Sequence, residues 1–243
     1  MTFDPFGDFE TRGYLRNVAR TKDPKIVRQM EHASFTTGLD AAFAQLASQK
    51  QLSYDDVLNT HKILFEAVYP WAGQDRLTTA PNLVVSKGND RDKISFAFPR
   101  DIRRAIDYGL DRGHDKKFMA ASPGEIMGYL AYAHPFLDGN GRTIMVLHCV
   151  LAQRAGLSID WATTSKNKYL TALTEELDDP HKGHLDAYLK PFIKSAIPYG
   201  ELAANIAVAP GLDGDGDDTV LGTTDDPELK ARYQAQELKR KQR

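Results

Sequence analysis

Apolar residues recur every three or four positions along most of this chain, the spacing of one buried helix face. Asp23-Pro24 supplies an N-cap and a first-turn proline, predicting a helix to about residue 48. Ser53 with Asp56 opens a second helix, in which Val57, Leu58, His61, Leu64, Phe65 and Val68 share a face before Pro70-Trp71-Ala72-Gly73 stops it. Between Leu77 and Phe98 the period changes. Leu83-Val84-Val85 and Ile94-Ser95-Phe96-Ala97-Phe98 are strand-like runs flanking the turn-rich Lys87-Gly88-Asn89-Asp90, which predicts a β-hairpin.

Helices resume after Pro99, with Ile102, Ile106 and Leu110 on one face. Ser122-Pro123-Gly124-Glu125 reads as a capping box, and its helix must end near His134 because Pro135 disfavours helical geometry in the residue before it. Arg142 to Ala155 is apolar nearly all round, as a central buried helix would be, and Gly156 is placed to cap it. Two more helices are predicted over about 165–177 and 182–196. Residues 208–227, rich in Gly, Asp, Thr and Pro, read as an exposed linker before a polar helical stretch with a basic end. The expected fold is mainly α, a helical bundle with one hairpin.

Composition narrows the function without naming it. Hydrophobic residues make up 42% and charged residues 26%, enough for an ordinary core. A net charge of -2 leaves no basic footprint for nucleic acid. The single cysteine, Cys149, excludes an intramolecular disulfide and reads as packing in the buried helix. No apolar stretch reaches membrane-spanning length and the N-terminus lacks a secretory pattern, so the expectation is a cytoplasmic protein with no membrane partner.

The chemistry concentrates between the two apolar helices, in His134-Pro135-Phe136-Leu137-Asp138-Gly139-Asn140-Gly141-Arg142. Gly139, Asn140 and Gly141 can take backbone conformations closed to most residues, so successive N–H groups can converge on one concavity. The following helix adds its unpaired amides and positive dipole end, which makes an anion pocket suited to phosphates. Arg142 adds a forked cation in the first turn. Asp138 beside such a pocket implies Mg²⁺, which binds one or two carboxylates together with phosphate oxygens. His134, with an ordinary pKa of about 6.5, can accept a hydroxyl proton near neutral pH.

This run resembles the Fic family signature H-x-F-x-D/E-G-N-G-R-x-x-R. Tyr69-Pro70-Trp71-Ala72-Gly73 with Arg76 resembles the family's Y-P-W-A-G-x-x-R segment. Val85-Ser86-Lys87-Gly88, then Phe96-Ala97, resembles its hairpin flap, and Ser158 to Trp161 with Tyr169 resembles its closing helices. The resemblance covers about residues 10–197, with the flap at about 83–98 and the catalytic loop at 134–142; residues 198–243 are left as linker and polar tail.

The resemblance implies transfer of a nucleoside monophosphate, usually AMP from ATP, onto a protein hydroxyl. His134 would deprotonate the hydroxyl and Asp138 would hold Mg²⁺ against the phosphates. Gly139, Asn140, Gly141 and Arg142 would bind the phosphates, with Lys87, Gly88 and Tyr169 also counted as nucleotide-binding. The flap would pair with an extended protein target by strand addition. An inhibitory antitoxin-like chain and delivery to another cell by a secretion system, as for a toxin or effector, are left open.

One position departs from the signature. Its second arginine falls at 145, where this chain has methionine, on the same helix face as Arg142. The expectation is retained transfer with an open donor: UMP, GMP or phosphocholine transfer is the alternative within enzymes, and a non-catalytic partner-binding module the alternative outside them. Thr36 to Ala41 has the outline of the family's inhibitory motif but offers Asp40 for its glutamate, and reads as helix. The Asp213–Asp217 run lacks the glycine and glutamate of a calcium loop, His181 and His184 lack a third metal ligand, and His61 reads as a satisfied core histidine.

Overall fold

The computed structural model describes residues 16–87, 94–212 and 218–241. Helix α1 (Pro24–Ser48) starts where Asp23 accepts from the Lys25 N–H at 2.9 Å. Helix α2 (Tyr54–Phe65) has both arms of the Ser53/Asp56 capping box. It ends at Phe65, and Val68, Tyr69 and Trp71 reach the core from the turns that follow. A one-turn helix α3 (Arg76–Thr79) leads to β1 (Leu83–Lys87) and β2 (Ile94–Ser95), paired antiparallel as the predicted hairpin, with Ser86 opposite Ser95.

Helices α4 (Ile102–His114), α5 (Lys116–Ala121), α6 (Pro123–Ala133) and α7 (Asn140–Arg154) follow. The N-terminus of α6 is not capped by Ser122. Asp186 takes that place, its carboxylate accepting from Gly124 N–H at 2.6 Å and Glu125 N–H at 3.3 Å. Glu125 is buried and accepts from the Tyr129 hydroxyl at 2.9 Å instead of turning back to the cap. Helix α7 is buried along Thr143 to Ala152 and packs against α1, α2 and α6, which makes it the centre of the bundle. Gly156 follows it at φ 89°, the left-handed exit expected there.

Beyond α7 lie β3 (Leu157–Ile159), α8 (Lys166–Asp178), α9 (His184–Leu189) and β4 (Ile193–Ser195). The helix expected over 182–196 is shorter. Pro191 brings no N–H to continue it, the chain tightens into a 3-10 turn over Lys190–Phe192, and β4 then pairs antiparallel with β3.

The larger correction is at the C-terminus. Helix α10 (Tyr199–Ala207) packs on α1, and the predicted linker contains β5 (Asp218–Thr223), which pairs antiparallel with β1 from Leu83↔Thr223 to Lys87↔Asp218. The hairpin is therefore the β2–β1 part of a three-stranded sheet ordered β2-β1-β5. Helix α11 (Pro227–Lys241) is seated against it: Tyr233 is 3% exposed and stacks on Phe98 with centroids 3.8 Å apart. Polar composition hid this because β5 owes its strand character to the unpaired backbone edge of β1. Among the described residues no helix is long and apolar enough to cross a membrane.

Candidate functional site

The α6 helix stops at Ala133 as Pro135 requires, and His134 takes left-handed geometry at φ 42° and ψ 59°. That conformation costs a non-glycine residue about 1–2 kcal/mol, so its surroundings must hold it. Arg76 does much of this. Its guanidinium is 1% exposed; Nε donates to the His134 carbonyl at 2.7 Å and Nη2 to the Ala97 carbonyl at 2.8 Å. One cation thus ties the loop to the chain leaving β2. The His134 ring stacks on Phe96 at 3.9 Å, with planes 12° apart.

Asn140, expected among the phosphate contacts, has its side chain committed to the loop. Oδ1 accepts from Phe136 N–H and Nδ2 donates to Phe136 C=O, both at 2.8 Å. Those two bonds fix which end of the amide is which, so Nδ2 is the donor that faces His134 Nε2 at 3.1 Å. In the neutral ring Nε2 is then the unprotonated nitrogen. Asn140 sets the basic atom of His134.

The two loop glycines differ. Gly139 has φ 75°, and a Cβ there would lie 2.6 Å from a Phe65 ring carbon, so both backbone and space demand glycine. Gly141 has no positive φ and lies in the first turn of α7, where a Cβ would meet nothing within 4 Å. It leaves clearance in front of the helix N-terminus rather than supplying a special backbone shape.

Arg142 is 6% exposed in its side chain. Nη2 lies 3.1 Å from Glu31 and 3.5 Å from Asp138, the guanidinium covers the Phe65 ring, and among the described residues Nη1 is buried with no hydrogen-bond partner. Glu31 was not singled out from the sequence. Its signal was there: Val27, Glu31, Phe35 and Leu39 recur every four residues and all are buried, so a carboxylate interrupts an otherwise apolar stripe. The Tyr69 hydroxyl donates to it at 2.6 Å. Burial, reinforced by the Asp138 charge, pushes Glu31 up to about 7 despite Arg142.

These groups open on one cleft. His134, Asp138, Gly139, Asn140, Gly141 and Arg142 line one side, while Met145, Lys166, Tyr169 and Leu212 extend it. Tyr169 is held edge-on against Trp161, centroids 5.9 Å apart, and burial raises its hydroxyl pKa. Met145 is 8% exposed and presents a thioether where the signature has a cation. Lys87 pairs through its backbone with Ile94, so it sits in the hairpin; its side chain and Gly88 lie outside the described residues. The donor set suits Mg²⁺ better than a protein-caged ion. Asp138 brings one half-exposed carboxylate, and no cluster of three or more His, Cys, Asp or Glu is present among the described residues.

Other side chains take structural places. His61 accepts from Gly73 N–H at Nδ1 (2.9 Å), donates from Nε2 to the Asp138 carbonyl (3.1 Å) and stacks on Phe136, and burial lowers its pKa to about 3. Cys149 is buried, accepts from Trp161 Nε1 at 3.3 Å, and burial pushes its thiol up to about 12. His181 bridges Glu125 and the Arg240 carbonyl, while His184 lies apart beside Glu175. Thr36 to Ala41 is an interior stretch of α1. The Asp213–Asp217 run lies outside the described residues.

Comparisons with known proteins bear on the family and the fold. Residues 51–152 match the model of the Fic/DOC family. The chain is 29% identical over 177 residues to the protein adenylyltransferase VbhT of Bartonella schoenbuchensis, an alignment covering 71% of this chain and 35% of that protein. It thus spans about a third of that relative's length. It is 27% identical over 169 residues to the probable protein adenylyltransferase y4lH of Sinorhizobium fredii, covering 65% of this chain and 81% of that one. The N-terminal Fic domain of a VirB-translocated Bep effector from Bartonella quintana, solved with bound ADP, superposes with a TM-score of 0.64 at 21% identity, covering 77% of this chain and 94% of that chain. Residues 51–152 thus match the Fic/DOC family, and the helical bundle shares the fold of solved Fic domains.

Proposed function

We propose that this cleft transfers AMP from ATP onto a hydroxyl side chain of a protein. The carrying observation is a convergence: the unprotonated His134 Nε2, the unpartnered Arg142 Nη1 and the Asp138 carboxylate all belong to residues lining one cleft at the N-terminus of α7. A buried guanidinium donor without a partner calls for an anion, since leaving it unmet costs about 1–3 kcal/mol or more. The relatives named protein adenylyltransferase and the ADP held by the Bartonella quintana domain support a nucleotide as that anion.

His134 Nε2 accepts the proton of the attacking Ser, Thr or Tyr hydroxyl. The freed oxygen bonds to the α-phosphorus, the bond from phosphorus to the bridging oxygen breaks, and pyrophosphate leaves. First-turn amides of α7 and the Arg142 guanidinium would offset charge on the phosphates. Asp138 would hold Mg²⁺, which when bound neutralises phosphate charge. Asn140 keeps Nε2 unprotonated in the resting site, and because that nitrogen has one lone pair, the Asn140 N–H gives way to the substrate hydroxyl as the proton moves.

Met145 favours a second reading of the donor. Without a cation there a third phosphate gains less, which favours a donor lacking one, as in phosphocholine transfer. UTP and GTP carry the same third phosphate as ATP, so UMP and GMP transfer compete through the nucleobase and not through position 145. The description of the Bartonella quintana relative as VirB-translocated supports reading this chain as an effector or toxin delivered to another cell. Incubating the protein and a His134→Ala variant with each labelled nucleoside triphosphate, Mg²⁺ and a cell lysate tests the proposal. Label should pass to protein from ATP and only with His134 intact. No transfer from any donor would overturn the proposal and leave the partner-binding module.

A further inference from the structure

The sheet has a second edge, at β2, and the way it is filled points to a regulatory role for the C-terminus. Ser86 and Ser95 face each other across β1 and β2, while the neighbouring Phe96 N–H donates to the Val85 carbonyl at 3.0 Å. In an antiparallel ladder that makes Ser86↔Ser95 a non-hydrogen-bonded pair, so the N–H and C=O of Ser95 point away from β1 toward the open edge. Both are met by a single side chain. Gln236 of α11 accepts from Ser95 N–H through Oε1 at 3.3 Å and donates from Nε2 to the Ser95 carbonyl at 2.8 Å. These are the two bonds a residue of an added strand would make, supplied by a side-chain amide. The next residue, Phe96, is the one stacked on His134, so a strand paired at Ser95 runs beside the proposed base.

Other contacts hold α11 in this place. Glu237 pairs with Arg104 at 2.6 Å and accepts from the Tyr132 hydroxyl, and Tyr233 donates to Asp101 at 2.9 Å. Arg240 lies over the Tyr132 ring at 3.8 Å. On the far side of the sheet, β5 covers β1. One continuous C-terminal segment therefore occupies both edges of the hairpin.

We propose that β5 and α11 form an intramolecular mask, in which Gln236 stands in for the backbone of an extended protein target at Ser95. This rests on the transfer reading, because the target is whatever receives the AMP. Target docking then requires α11 to lift, and the rate scales with the fraction of molecules in which it has lifted. The mask acts on the protein substrate and leaves the nucleotide cleft accessible. Its release therefore raises turnover toward protein without changing the KM for ATP.

The test uses the full chain with Gln236→Ala and with Arg104→Glu. Hydrogen exchange at the Ser95 amide reports docking, and labelled AMP transfer from ATP to lysate proteins reports masking. Gln236→Ala and Arg104→Glu should expose Ser95 and raise transfer about tenfold at unchanged ATP KM. If the released variants exchange freely at Ser95 yet label protein no faster than an active parent, the mask is overturned and the transfer reading stands. If no chain labels any protein, the transfer reading fails and the mask falls with it.

Discussion

The Glu31 carboxylate and the Arg142 guanidinium meet 3.1 Å apart with both side chains nearly closed to water, and Asp138 lies against the same guanidinium at 3.5 Å. Burial first, and then the second acid on the same cation, pushes the Glu31 carboxyl up from 4.5 to about 7. A raised carboxylate pKa means the folded state binds the proton more tightly. Stability is therefore greatest below the unfolded value and falls as pH rises toward the folded one. In metal-free, nucleotide-free buffer, unfolding free energy should drop between pH 4.5 and 7 by a Glu31 contribution on the order of 3 kcal/mol. Glu31→Gln should flatten that slope in urea melts; an unchanged slope would assign it to other groups.

Asn140→Ala should cut transfer at least ~10-fold by freeing the His134 tautomer, and should lower stability by about 1–3 kcal/mol because the Phe136 N–H loses its acceptor. The distinguishing readout is the pH–rate profile, whose acid limb, set by deprotonation of the base, should move along with the rate. A stability loss with an unmoved profile would reduce Asn140 to a loop brace.

The two glycines should separate fold from function. Gly139→Ala meets Phe65 in a left-handed backbone and should destabilise by more than about 1 kcal/mol. Gly141→Ala, in an open first turn, should stabilise by about 0.5–1 kcal/mol yet weaken ATP binding by crowding the helix N-terminus. Melting curves and calorimetric titration on the same samples decide this; equal ATP affinity in Gly141→Ala would place the phosphates elsewhere.

Met145→Arg restores a cation one turn beyond Arg142 in the cleft. A charge-assisted contact to the outer phosphate would lower the KM for ATP about tenfold. Steady-state kinetics with ATP and with UTP and GTP in parallel should show the gain; an unchanged KM would mean that position 145 does not face the third phosphate.

Arg76→Lys keeps the charge but loses the fork that reaches the His134 and Ala97 carbonyls together. With one carbonyl left unmet in a buried site, unfolding free energy should fall by about 2–3 kcal/mol. A near-neutral melt would show that the left-handed His134 is held by its Phe96 stack instead.

Helix starts were legible where the information is local. Asp23 and Ser53 cap their helices with atoms a few residues away, and Pro135 ends α6 by a clash with its own neighbour. The Ser122 reading failed for the opposite reason: the carboxylate that meets Gly124 belongs to Asp186, 62 residues along the chain. Glu31 was half-legible, since its stripe shows burial but nothing in α1 announces Arg142.

Taken alone, the order of residues determined the helical bundle, the hairpin and the nine-residue loop that holds the candidate chemistry, because caps, breakers and periodicity act over a turn or two of chain. Which atom of His134 is basic, that Arg142 is shared between Glu31 and Asp138, and that a polar tail closes both edges of the hairpin were decided only by tertiary structure. Each depends on hydrogen-bonding groups or charges brought together from distant segments, and a backbone edge or a buried cation accepts whichever partner the fold delivers.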